Sequence, residues 1–125
     1  MNFLDGQVQQ EAGALVFRSK GVAWPLSRRL DFDLKGGAVT LGVRPEDLVA
    51  TTNGSDSSSV NHGSVRLISS LGADDYALIE VAESRLLIRL GHDVSFAPGD
   101  HVKVVPRPGR VHLFDPVTGG RQATL

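Results

Sequence analysis

The chain has 125 residues, 41% of them hydrophobic and 22% charged, the composition of a globular chain with a buried core rather than a disordered one. Thirteen Lys and Arg against fourteen Asp and Glu leave a formal net charge of -1, which argues against a surface dedicated to nucleic acid or anionic lipid. Cysteine is absent, so disulfides and thiolate metal sites are excluded, and a reducing compartment fits.

A chain of this length forms one domain or two small interlocked ones, burying roughly two thirds of the surface of the unfolded chain. No apolar run reaches the ~20 residues of a helical bilayer span. Attachment to a membrane is therefore expected to run through another protein, without direct insertion.

The chain opens on Met1-Asn2-Phe3-Leu4, two large apolar residues with no polar lead-in. Such a start fits a terminal strand tied into a sheet better than a fraying end. Strands are predicted over 3–9, 14–18 and 22–26, with turns at Gly13 and at Ser19-Lys20-Gly21. Trp24 precedes Pro25, which favours extended geometry and a strand end. Trp24 is the only tryptophan and is read as a core anchor.

Residues 27–34 alternate Leu30, Phe32 and Leu34 with polar neighbours, the pattern of a half-exposed extended segment. Arg28 and Arg29 form a small basic pair there, close to Asp31 and Asp33. A strand over 38–43 then runs into Leu41-Gly42-Val43-Arg44-Pro45-Glu46-Asp47-Leu48. Pro45 cannot donate to a ladder. With proline first and two acids following, this stretch predicts a single helical turn at a corner.

Residues 51–59, Thr-Thr-Asn-Gly-Ser-Asp-Ser-Ser-Ser, have loop composition. They divide the chain into an N-terminal β segment (1–50), a Ser-rich loop (51–62) and a β-barrel half (63–125). In the last part, strands are predicted over 64–71, 76–82, 85–90, 101–105 and 111–114, separated by Gly, Pro and Asp turns. The stretch after 114 reads as turn chemistry and a frayed end. The fold class is all-β: small OB-like barrels in two packed β halves, with short turns and no long helix.

Catalytic signatures are absent. The sequence has no GxxxxGK[ST] loop, no GxGxxG after a strand and no GxSxG elbow. The four histidines, His62, His92, His101 and His112, lack metal-ligand spacing. Tyr76, Phe96 and Phe114 have no basic stripe beside them for stacking nucleic-acid bases. No enzyme activity, cofactor or metal is expected of the chain itself.

Three segments, in this order, resemble one known arrangement. Met1-Asn2-Phe3-Leu4 resembles the junction after the nucleotide-binding domain in ATPase subunits of carbohydrate-type ABC importers, the maltose, trehalose and glycerol-3-phosphate group. Val39 to Leu48 resembles the strand and "LGxRPE" corner of the regulatory domain of those subunits. Pro98-Gly99-Asp100, His112-Leu113-Phe114-Asp115 and Thr118-Gly119 resemble its closing "PGD … HLFD … TG" pattern. The sequence departs from the family at Ser69-Ser70, where a bulky or acidic pair is frequent.

The resemblance implies a transport-associated OB (TOBE) domain, the non-catalytic regulatory and dimerisation module of such a subunit. ATP and Mg would then belong to a nucleotide-binding domain outside this chain, and Met1 would stand at a domain boundary. The implied partners are that domain, a second copy of the subunit, permease subunits indirectly and a regulatory protein, on the cytoplasmic face of the cell membrane. Nucleic acid is not among them. Gly42, Arg44, Pro45, Glu46, His112, Leu113, Phe114 and Asp115 are read as architecture or subunit contact. The alternative is a module that binds a sugar, sugar phosphate or oxyanion, with Arg28, Arg29 and Arg44 as contacts.

Overall fold

Two antiparallel sheets face each other across one core. The structure is a computed structural model and describes residues 1–11, 13–26, 37–52, 60–91 and 94–124. The first sheet is built from β1 (Asn2–Glu11), β2 (Ala14–Ser19), β3 (Val22–Pro25), β4 (Ala38–Val43), β10 (His112–Phe114) and β11 (Arg121–Thr124), in the order β11-β10-β4-β1-β2-β3. The second holds β5 (Leu48–Thr51), β6 (His62–Leu71), β7 (Asp74–Val81), β8 (Ser84–Leu90) and β9 (His101–Pro106), in the order β5-β9-β6-β7-β8. The all-β expectation holds, and the single turn predicted at Pro45 is a 3-10 turn over Pro45–Asp47. No described helix is long and apolar enough to cross a membrane.

Period-two patterning explains which face of each strand is buried. Leu4 and Val8 of β1 point inward, and Val39, Leu41 and Val43 of β4 do the same. Between Leu4 and Val8, Gly6 leaves room for the Phe17 ring; a Cβ there would sit 2.7 Å from Phe17 Cζ. Across the core lie Val65, Ala77, Ile79, Val81, Leu86, Ile88, Val102 and Val104 of the second sheet, in the same hydrophobic cluster. Trp24 is fully buried, as predicted, with its ring centroid 6.3 Å from that of Phe17 and its indole N–H donating to the Val104 carbonyl at 3.0 Å.

The sheets do not follow the division of the chain at 51–62. Leu48–Thr51 leaves the N-terminal segment to pair with β9, and β10 returns from the C-terminal half to pair with β4. β5 escaped prediction because Leu48–Thr51 is too short for periodicity to register. β11 replaces the expected frayed end, because the turn before it returns the chain onto β10. In β6 a bulge between Val65 and Leu67 turns both Arg66 and Leu67 outward, so strict alternation fails there. The Leu86-Leu87-Ile88 run, read as covered on both faces, has Leu86 and Ile88 in the core and Leu87 half-buried at the edge of the sheet. The extended segment predicted over 27–34 lies outside the described residues.

Two asparagines join the sheets. Asn2 Nδ2 donates to the Leu87 carbonyl at 2.9 Å and Asn2 Oδ1 accepts from the Leu87 N–H at 2.8 Å, satisfying the outer edge of β8. Asn61 does the same to Ala23 of β3. Its backbone N–H also donates to the Gly21 carbonyl, and its own carbonyl accepts from the Val104 N–H, each at 2.8 Å.

Candidate functional site

The corner from Leu41 to Leu48 is where the chain crosses between sheets. β4 ends at Val43, and Arg44 caps the turn in extended geometry (φ -77, ψ 151) with its carbonyl accepting from the Asp47 N–H at 2.9 Å. Pro45 occupies the first turn position, where its missing N–H costs nothing. Leu48 then enters the core and starts β5.

Gly42 lies on the opposite face of β4 from Leu41 and Val43. It is opposite Phe3 of β1 and His112 of β10 in register. The space its missing side chain leaves is roofed by Met1, Phe3 and Phe114: a Cβ would fall 2.8 Å from Met1 Sδ and Phe114 Cε2 and 3.2 Å from Phe3 Cε1. The Phe3 and Phe114 rings meet edge to face at 6.0 Å, yet Phe3 remains 60% exposed. His112 lies 6.5 Å from Phe114 ring to ring, with Nδ1 3.1 Å from Thr124 Oγ1. Leu113 points the other way and is fully buried.

Asp115 organises the turn that follows. Its Oδ1 accepts from the Val117 N–H at 2.8 Å and the Thr118 N–H at 3.0 Å, and its backbone N–H donates to the Gly120 carbonyl at 2.8 Å. The N–H of Thr118 first, and then that of Val117, hold the carboxyl below its ordinary value. Gly119 takes a positive φ of 74°, which glycine adopts without strain.

The other side of the corner forms a polar cleft of about 310 Å³, lined by Glu46, Asp74, Arg89, Leu90, Gly91 and Arg107. Arg107 is docked on the corner: its N–H donates to the Asp47 carbonyl at 2.7 Å and its Nε to the Glu46 carbonyl at 3.4 Å. Arg89 pairs with Asp74 at 3.4 Å. An adjoining hollow of about 140 Å³ shares Arg89 and Arg107 and adds an apolar wall that includes Leu48, Ile88 and Phe96.

The sequence-predicted residues thus divide into separate places. Gly42, His112 and Phe114 come together on one face of the first sheet, with Leu113 in the core beneath them. Pro45 and Glu46 sit on the corner, and Arg44 is exposed and does not line the cleft. Arg28 and Arg29 lie outside the described residues. Arg89 and Arg107 went unnoticed in the sequence because their partners at 46 and 74 are far away along the chain and no spacing rule joins them. Among the described residues no cluster of three His, Cys, Asp or Glu could hold a metal ion.

Comparison with known proteins matches the MalK OB fold domain over residues 1–48 and the TOBE domain over residues 41–114. A relative from Paracoccus denitrificans, the sn-glycerol-3-phosphate import ATP-binding protein UgpC, is 38% identical over 89 residues, covering 70% of this chain and 24% of the relative. The protein of that name from Escherichia coli O157:H7 is 33% identical over 125 residues, covering 97% of this chain and 33% of the relative. An uncharacterized ABC transporter ATP-binding protein, y4oS of Sinorhizobium fredii, is 31% identical over 123 residues, covering 98% and 31%. The chain spans about a quarter to a third of the length of these relatives. The two matched regions overlap at 41–48, the corner.

Proposed function

The chain belongs to the TOBE domain family, and from that premise we propose that it is the regulatory and dimerisation module of the ATPase subunit of an ABC importer for sugars or related solutes. The match over 41–114 carries the proposal, because it runs through the corner and both sheets rather than one motif. Relatives named as import ATP-binding proteins support it along nearly the full chain.

In this role the chain does no chemistry of its own. Binding and hydrolysis of ATP with Mg belong to a nucleotide-binding domain, whose P-loop signature has no counterpart here. That domain, a second copy of the subunit and, indirectly, the permease are the proposed partners, at the cytoplasmic face of the membrane. A regulatory protein is a further proposed partner. Phe3 and Phe114, a partly exposed aromatic pair on a sheet face, are proposed as a subunit contact.

Two measurements test this. Sedimentation equilibrium of the chain should show weak, concentration-dependent self-association; a strict monomer up to about 1 mM, the weak limit of specific association, counts against the dimerisation role. Purified chain should not turn over ATP, and turnover that survives removal of contaminating ATPases overturns the non-catalytic reading. A small-ligand role is the second reading, and the cleft at Arg89 and Arg107 is the observation that favours it.

A further inference from the structure

We propose that the cleft between the Pro45–Asp47 turn and the end of β8 binds a small phosphorylated sugar or polyol, with Arg107 taking the anionic group and Glu46 a hydroxyl. This deepens the ligand-binding reading and rests on it, independently of the assembly role.

Charge pairing in the cleft is incomplete. Arg89 and Asp74 satisfy each other at 3.4 Å. Glu46 and Arg107 line the same cleft, yet neither has an ion-pair partner among the described residues. What holds Arg107 in place is backbone: the Asp47 carbonyl on its N–H and the Glu46 carbonyl on its Nε. These bonds leave the terminal nitrogens of the guanidinium available, and that planar fork matches two oxygens of a phosphate. A carboxylate accepts hydrogen bonds and donates none, so Glu46 suits a hydroxyl rather than a second anion.

Ligand size and shape follow from the walls. About 310 Å³ is at the lower end of the ~300–1,000 Å³ typical of small-molecule sites. The adjoining hollow, with Leu48, Ile88 and Phe96, offers apolar surface to the C–H face of a sugar ring. A bare oxyanion would leave that wall and the Glu46 carboxylate unused. A neutral sugar would leave the Arg107 fork unused. The position is also suited to signalling: Glu46 and Arg107 belong to the corner that joins β4 of one sheet to β5 of the other.

Isothermal titration of the 125-residue chain with glucose 6-phosphate, inorganic phosphate and glucose tests the assignment. The expected result is saturable binding of glucose 6-phosphate, weakened about tenfold or more by Arg107→Gln and by Glu46→Gln. Lys103→Gln, exposed on β9 and outside the cleft, should leave it unchanged. Flat traces up to about 10 mM, beyond the weak end of specific affinity, overturn the proposal. So does saturable binding that survives both cleft substitutions, and inorganic phosphate binding as tightly as glucose 6-phosphate overturns the sugar component. Self-association of the same material by sedimentation reads the assembly role separately, so either can fail alone.

Discussion

Asn61 directs the two ends of its side-chain amide at the backbone of one residue, Ala23. Oδ1 accepts from the Ala23 N–H and Nδ2 donates to the Ala23 carbonyl, each at 2.8 Å. Asn61 is the one polar residue buried among those described, at 8% exposure, and its φ is +64°. A carboxamide that presents an N–H donor and an oxygen acceptor side by side mimics a neighbouring strand. It thereby binds the edge of β3 to the entrance of β6 and, through the Asn61 carbonyl, to Val104 of β9.

Replacing Asn61 separates its two roles. Asn61→Ala strands the Ala23 N–H and carbonyl and puts alanine, which tolerates the left-handed region less well than asparagine, at φ +64°. The expected loss is about 2–4 kcal/mol of unfolding free energy. Asn61→Gly keeps the backbone conformation accessible and should recover about 1 kcal/mol of that loss. Chemical denaturation of the two variants checks the ordering; equal stabilities would mean that the positive φ costs nothing here.

Trp24 sits next to this junction, and its indole N–H reaches the carbonyl of the same Val104. Trp24→Phe removes the donor and leaves a void in a site with no solvent access. A loss of about 1–3 kcal/mol is expected from the orphaned carbonyl and the lost volume. Thermal unfolding with van't Hoff analysis reads it.

Gly63 and Gly42 predict opposite tolerances to alanine. At Gly63 a Cβ would lie 2.5 Å from the Glu80 carbonyl oxygen, which is backbone of the paired strand and cannot swing aside. Gly63→Ala should cost about 1–3 kcal/mol. At Gly42 the obstacles are the Met1 sulfur and the tips of Phe3 and Phe114. These can rotate, so Gly42→Ala should cost at most about 1 kcal/mol while separating the Phe3–Phe114 pair. Ring-current shifts of the two phenylalanines would report that separation even if stability barely changes.

The Asp115 turn carries a pH dependence. Backbone N–H donors from Thr118 and Val117 favour the carboxylate and put the folded pKa below the ordinary 3.8. The turn's contribution is therefore fully present above the ordinary value and is lost as pH falls through the depressed one. NMR titration of the Asp115 carboxyl carbon should give a midpoint below that of an unstructured aspartate. Asp115→Asn should remove this acid transition while retaining an acceptor for both amides. A normal midpoint for Asp115 would contradict the hydrogen-bonded turn.

Much of the fold is legible in the chain because its strands carry their own signals. Val39, Leu41 and Val43 alternate with Ala38, Thr40 and Gly42, and β4 runs over the predicted 38–43. Pro45 with two acids behind it specifies the corner turn by missing an N–H and by charge at a helix start. Gly21 and Gly72, at φ +72° and +70°, mark turns that only a residue without a Cβ enters freely. Each of these signals is local, so a single sequence is enough to read it.

Partnership between distant segments was decided by tertiary structure. Which sheet receives Leu48–Thr51 depends on the edge of β9, and the place of β10 depends on the free edge of β4; neither edge exists until the rest has folded. The Asn61–Ala23 bond spans 38 positions and Trp24–Val104 spans 80, separations at which residue type alone carries no pairing information. The candidate cleft is the same case. Glu46, Asp74, Arg89 and Arg107 are ordinary surface charges in sequence, and only the crossing of the chain between two sheets places them around one space.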